Sequence, residues 1–201
     1  MANLSLQAPP RDSRPIVISG PSGVGKGTLA NRLSDEHAGI FALAVSHTTR
    51  EPRLGEVEGT SYFFVDPSTF DGLLSQGAFV EHATLNDNQY GTSRKAIADE
   101  MDKGRVVVLD VEMGGVQQLK ANPAIDARYV FIKPPNLEDF KTRLCGRGIA
   151  EDEKLQQRLE KAKDEIEYAT TQGVYDKIIV NDYLEKAYQE LEEFVYNTTS
   201  N

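Results

Sequence analysis

The chain is poor in the residues that build covalent or metal frameworks. Its 201 residues include one cysteine, Cys145, and no tryptophan. A single cysteine permits no intrachain disulfide and no cysteine zinc site. That usage is compatible with a reducing compartment, and a cytoplasmic location is expected. The histidines His37, His47 and His82 lack metal-ligand spacing and read as polar surface or loop residues. No apolar run approaches the ~20 residues that span a bilayer, so no membrane partner is expected. The first residues show no basic stretch followed by an apolar one, the mark of a secretory signal. Pro9, Pro10, Asp12, Ser13 and Pro15 suggest a flexible tail over residues 1–14. Positive charge is also scarce: 22 Lys and Arg stand against 31 Asp and Glu, a net charge of −9. Nonspecific nucleic-acid binding needs a basic footprint, so no nucleic-acid partner is expected.

The few cations are nevertheless clustered. Arg50, Arg53 and Arg94 form one group, and Arg143, Arg147 and Arg158 another. An acidic chain that concentrates guanidinium groups has places to hold small phosphates. For any one of these arginines alone, a solvated surface position is the competing reading.

At 39% apolar and 26% charged, the chain suits one α/β domain with a real core. β-rich runs fall at Pro15–Ser19, Phe41–Ser46, Tyr62–Val65, Ala78–His82, Arg105–Asp110, Arg128–Ile132 and Lys177–Val180. Val106–Leu109, Tyr129–Ile132 and Ile178–Val180 are continuously apolar or aromatic, as parallel strands covered on both faces are. Helical patterns lie between them, at Leu29–His37, Pro67–Gln76, Ser93–Lys103, Gly115–Ala121, Leu137–Cys145, Asp152–Thr170 and Tyr183–Asn197. This alternation predicts a doubly wound parallel sheet in a three-layer α/β/α core. The polar, glycine-marked stretch Thr49–Tyr90 breaks it and reads as an inserted β-rich subdomain. Gly146–Arg158 reads as a candidate lid, with a solvated loop as the plainer alternative. The stripe Leu155, Leu159, Ala162, Ile166 and Ala169 has helical spacing and predicts core packing.

The chemistry is stated most directly between Ile16 and Thr28. A β-branched run leads into Gly20-Pro21-Ser22-Gly23-Val24-Gly25-Lys26-Gly27-Thr28. This fits a phosphate-binding loop, in which backbone N–H groups turn inward around an anion. Lys26 adds a charge for the β- and γ-phosphates, and a helix beginning near Thr28 aims its positive end at the same place. Gly27 departs from the usual pattern, standing where a hydroxyl residue normally is, with Thr28 one residue later. A flexible turn between strand and helix is the bland alternative.

A second constellation reads Ser46-His47-Thr48-Thr49-Arg50-Glu51-Pro52-Arg53-Leu54-Gly55-Glu56, then Tyr62. Two arginines with hydroxyl residues and a tyrosine make a clamp for a phosphate monoester. With these residues the chain closely resembles guanylate kinases. The resemblance continues through Tyr62-Phe63-Phe64-Val65, Phe79-Val80-Glu81, Tyr90-Gly91-Thr92, Leu109-Asp110-Val111, Arg143, Gly146-Arg147-Gly148 and Val180-Asn181-Asp182. It spans about Pro15 to Tyr196.

The resemblance implies ATP-dependent phosphorylation of GMP, and of dGMP, to GDP by direct in-line transfer. It implies a core at 15–45, 91–142 and 171–201, a GMP-binding insertion at about 46–90 and a lid at about 143–158. Arg50, Arg53, Tyr62 and Tyr90 would hold the GMP phosphate, with Glu56 beside them. Ser46, Glu81 and Thr92 would read guanine, and Asp110 and Glu112 would line its side of the pocket. Gly20, Ser22, Gly23, Val24, Gly25, Lys26, Gly27, Thr28 and Asn181 would contact ATP. Lys26, Arg53, Arg143, Arg147 and Arg158 would neutralise the reacting groups once the lid closes. Mg²⁺ would be held by ATP oxygens and water, with Thr28 as the nearest protein hydroxyl. A monomer is expected.

Two departures stand out. Glu112 is one methylene longer than the family's usual aspartate, and Gly114 replaces its usual glutamine. Two other readings stay open on the residues alone. One is a non-catalytic scaffold of the same fold that binds phosphopeptides. The other is a related kinase acting on a different phosphate monoester.

Overall fold

The computed structural model describes residues 8–85, 87–146 and 152–197. In chain order the elements begin β1 (Ile16–Ser19), α1 (Lys26–Glu36), β2 (Phe41–Leu43), β3 (His47–Thr48) and β4 (Phe63–Phe64). They continue α2 (Pro67–Ser75), β5 (Phe79–Leu85), β6 (Asn88–Ser93), α3 (Arg94–Met101), β7 (Val106–Asp110) and α4 (Met113–Ala121). The last are β8 (Arg128–Lys133), α5 (Leu137–Gly146), α6 (Asp152–Ala169), β9 (Lys177–Val180) and α7 (Leu184–Tyr196).

Five strands form a parallel sheet in the order β2-β7-β1-β8-β9. β1 is central and buried throughout because both faces are covered. Side chains alternate across it. Ile16, Ile18, Val108, Val130 and Ile132 pack with residues of α1, α5, α6 and α7. Val17, Val107, Leu109 and Tyr129 face the other way, toward Val116 and Leu119 of α4. This is the three-layer arrangement that the apolar strand runs predict. The predicted stripe on α6 is largely core: Leu155, Leu159, Ala162 and Ala169 are buried.

A second sheet has the order β4-β3-β6-β5. β5 and β6 form an antiparallel hairpin, and Glu81 pairs with Thr92 beside a register shift between Phe79 and Glu81. Such a bulge re-aims a side chain.

Several boundaries differ from the sequence reading, each for a local reason. The run Phe41–Ser46 is strand only to Leu43. Ala44 N–H still bonds Val108 O in the first sheet, whereas Ser46 O already accepts from Phe63 N–H in the second. Asn88–Ser93 is a strand although its residues are mostly polar, because pairing with β5 rather than an apolar face holds it. His47 is not a surface loop residue. It lies half-buried in β3 between the rings of Phe63 and Phe79, at 4.8 and 5.5 Å between centroids. Burial holds its pKa below the ordinary histidine value. His37 is likewise tied in, with Nε2 2.7 Å from Glu192 and Nδ1 3.1 Å from the Tyr196 hydroxyl.

The stretch before β1, read as part of a flexible tail, is anchored where described. Pro10 is buried, and Asp12 accepts from Arg14 at 2.8 Å. Arg128, the largest fully buried side chain, donates to the carbonyls of Asp12, Phe194 and Val195. Its guanidinium thus ties the N-terminal segment to the end of α7. No described helix is long and apolar enough to cross a membrane.

Candidate active site

The loop after β1 is shaped by what its glycines avoid. Gly20 and Gly25 have φ of +144° and +107°, and a Cβ on Gly20 would lie 2.1 Å from Ile132 O. A Cβ on Gly25 would lie 2.5 Å from Asn181 Nδ2. Asn181 is buried at the end of β9 and donates from Nδ2 to Val24 O at 2.8 Å. One carboxamide therefore pins the loop to the far strand and requires glycine at position 25. Gly25 caps α1, which begins at Lys26 rather than near Thr28, so the first helical N–H groups belong to the loop itself.

Lys26 is buried and donates from Nζ to Gly20 O at 2.7 Å, with Asp110 Oδ1 at 3.9 Å. Asp110 ends β7 on the floor of the cleft, surrounded by protein yet facing open space. Burial pushes its carboxyl above the ordinary aspartate value, Lys26 pulls it back, and the charge of Glu112 adds to the rise. A Cβ on Gly27 would lie 3.4 Å from Asp110 Oδ2, so glycine keeps this space open. Thr28 is exposed on the same cavity.

Three cavities share residues and make one cleft. The first, about 420 Å³, lies between Gly23, Gly25, Thr28, Arg143, Asn181 and Asp182. The second, about 260 Å³, is lined by Ser22, Gly23, Gly25, Lys26, Gly27, Thr28 and Asp110. The third, about 420 Å³, continues from Gly27 and Asp110 to Ser46, Glu56 and Tyr62. A separate, more apolar cavity beside Val17, Val80, Ile97 and Leu119 contains none of these groups.

At the far end, polar side chains form a directed chain. Glu81 Oε1 accepts from Thr92 N–H at 3.0 Å and from the Thr92 hydroxyl at 2.5 Å. With that proton committed, Ser46 Oγ donates to Thr92 Oγ1 at 3.0 Å. Burial raises the Glu81 pKa above the ordinary value, and the two Thr92 bonds oppose the rise. Gly115 of α4 lets the carboxylate in, since a Cβ there would lie 2.9 Å from Glu81 Oε2.

Beside this chain, Arg50 grips Glu56 with both terminal guanidinium nitrogens, at 3.0 and 2.8 Å. The pair lowers the Glu56 pKa and raises that of Arg50. The Arg50 guanidinium lies 5.3 Å from the Tyr62 ring centre, and Tyr62 meets Tyr90 edge-on at 6.0 Å. The Arg53 side chain is exposed at this rim, while its N–H donates to Glu56 at 2.7 Å.

Not every expected site residue converges here. Arg143 lines the first cavity, but its guanidinium is held by backbone, donating to Asn181 O at 2.6 Å and Asp182 O at 3.0 Å. Arg158 is half-buried on α6, with no polar partner among the described residues. Arg147 lies outside the described residues. Glu112 is engaged by Lys161 at 2.5 Å. Sequence reasoning passed over Lys161 and the buried Glu165. Glu165 was findable, since it falls between Ala162 and Ala169 on the apolar flank of α6. Among the described residues no group of three His, Cys, Asp or Glu could hold a metal ion.

A family model described as guanylate kinase matches residues 12–198. The chain is 47% identical to a guanylate kinase of Schizosaccharomyces pombe over 179 residues, covering 89% of this chain and 88% of that one. It is 43% identical to the human guanylate kinase over 182 residues, covering 90% and 91%. The crystal structure of guanylate kinase from Anaplasma phagocytophilum superposes with a TM-score of 0.69 at 30% identity, covering 92% of this chain and 87% of that one.

Proposed function

The chain belongs to the guanylate kinase family, whose reaction is ATP-dependent phosphorylation of GMP to GDP, and we propose that the cleft performs it with a distinct job at each end. The observation that carries this reading is the Ser46-Thr92-Glu81 chain, which meets at Ser46 a cleft that starts in the phosphate-binding loop.

A carboxylate accepts from both N1–H and the exocyclic amine of guanine, two donors that adenine does not present together. Glu81 is therefore the guanine reader. The Thr92 bonds favour its ionised form against burial, and the Ser46 hydroxyl, on leaving Thr92 Oγ1, donates to O6. A base that leaves these buried groups unmatched is strongly discriminated against. Arg50, Arg53, Tyr62 and Tyr90 take the GMP phosphate, with Glu56 orienting Arg50 beforehand.

The loop N–H groups and Lys26 follow the β- and γ-phosphates, and Asn181 Oδ1 remains free to accept on the adenine side. GMP's phosphate is already ionised, so no general base is needed. Catalysis comes from alignment and positive charge. Arg143, Arg147 and Arg158 supply that charge when the segment about 143–158 closes over the cleft, which also excludes water. Mg²⁺ carried in with ATP would offset phosphate charge. Ser22, Thr28 and Asp110 are the oxygen-bearing side chains that line that space. We place the protein in the cytoplasm as a monomer that also accepts dGMP.

The test is ADP formation with Mg–ATP and each of GMP, AMP, CMP and UMP, for the wild type and Lys26→Ala. Turnover with GMP alone, lost in the variant, supports the reading. Equal rates with AMP or UMP overturn the guanine assignment. No turnover with any nucleotide supports a phosphopeptide-binding scaffold instead.

A further inference from the structure

Glu112, Lys161 and Glu165 form a cluster that the chemistry above leaves unused. Glu112 occupies the N-cap position of α4, yet its side chain makes no capping bond to that helix. It turns to α6 instead, where Lys161, far away in sequence, donates to Oε2 at 2.5 Å. Glu112 Oε1 has no polar partner among the described residues. The same Lys161 Nζ lies 3.9 Å from Oε1 of Glu165, which is buried at 2% exposure with its Oε2 unpartnered.

The surroundings make a cation necessary here. Burial raises the pKa values of Glu81, Asp110 and Glu165, and in each case the charge of Glu112 adds to the rise. Left alone, Glu112 gains by swinging away from these carboxylates into solvent. Glutamate has one more rotatable bond than aspartate, so that movement is easy. Lys161 removes the freedom by fixing one carboxylate oxygen.

We propose that Lys161 is a positioning residue for guanine recognition: it holds Glu112 by Oε2 and thereby presents Oε1 to the exocyclic amino group of the purine. The inference rests on the reading that Glu112 lines the guanine side of the pocket. It assigns a role to a residue of α6, so the helix that follows the closing segment also takes part in choosing the base. The longer glutamate is then matched by a lysine that tethers it.

The experiment compares GMP with IMP, which differ only in that amino group. Steady-state kcat and KM are measured at saturating Mg–ATP for the wild type, Lys161→Met, Lys161→Arg and Glu112→Ala, with thermal melts to show that each variant is folded. Lys161→Met is expected to raise the KM for GMP by ~5-fold, the scale of one oriented hydrogen bond, while kcat and the KM for IMP stay nearly unchanged. Lys161→Arg is expected to restore most of the GMP preference. If Glu112→Ala collapses the GMP-to-IMP ratio but Lys161→Met leaves it unchanged, Lys161 is only a surface ion pair and the proposal fails alone. If Glu112→Ala also leaves the ratio unchanged, the placement of Glu112 fails and takes the proposal with it.

Discussion

The Thr92 hydroxyl and the Thr92 backbone N–H converge on a single oxygen, Glu81 Oε1, at 2.5 and 3.0 Å. Two donors on one carboxylate oxygen favour the ionised form, in a place where burial favours the neutral one. Thr92→Val keeps the shape, removes one of these donors and leaves Ser46 without its acceptor. The KM for GMP is expected to rise by about tenfold, the cost of a lost hydrogen bond to a buried charge, while the KM for ATP stays put. Steady-state kinetics with each substrate varied in turn checks the split.

The raised Glu81 pKa also sets a pH dependence. Protonated Glu81 can accept less from guanine, so GMP binding weakens as pH falls. The loss begins at a higher pH than an ordinary glutamate would give. Titration calorimetry with GMP between pH 5 and 8 measures it, and Glu81→Gln should flatten the profile.

Glu165 affects stability in the opposite sense from a paired carboxylate. Burial raises its pKa in the folded state, so the unfolded chain releases the proton first as pH rises. Stability from this group is therefore full below the unfolded value and declines as pH climbs through the folded one. Glu165→Gln should melt higher than the wild type at pH 7, with the difference vanishing below the ordinary glutamate range. For a chain of this size each kcal/mol moves the melting temperature by roughly 2–4 °C. Paired melts at several pH values read it directly.

Gly25→Ala combines two faults: φ of +107° and a Cβ 2.5 Å from Asn181 Nδ2. The variant should raise the KM for ATP at least tenfold, since the distorted backbone is the phosphate cradle itself, where small misplacements cost about 100-fold. Adding Asn181→Ala removes the clash but not the strained φ. Thermal stability should recover in part and ATP affinity should not.

Arg50→Lys replaces a planar fork by a point charge. The fork holds Glu56 with two bonds and lies over Tyr62. Lysine reproduces neither feature. The KM for GMP should rise by roughly tenfold or more with ATP affinity unchanged, because two charge-assisted bonds become one.

Much of this was legible in the chain because its signals are local. The apolar runs at Val106–Leu109 and Tyr129–Ile132 are strands because both faces are covered. Gly20 to Lys26 forms a loop because its glycines must avoid Ile132 and Asn181. What stayed hidden depends on contacts between distant segments. Asn88–Ser93 is polar, and only pairing with β5 and β3 makes it a strand. His47 looks like a loop residue until Phe63 and Phe79 close on it. Lys161 lies on a charged helix face, and nothing local shows that Glu112 stands opposite. Arg143 is recognisable by motif, but its present partners are backbone carbonyls, which no side-chain pattern announces.

The most direct measurement is the ratio of kcat/KM for GMP to that for AMP, in the wild type and in Glu81→Gln. The glutamine amide turns a donor toward guanine's donors. The account predicts a strong preference for GMP in the wild type and a loss of at least ~100-fold in GMP efficiency in the variant, with AMP activity no better than before. A variant that keeps the wild-type preference would contradict the assignment of Glu81 as the group that reads the base.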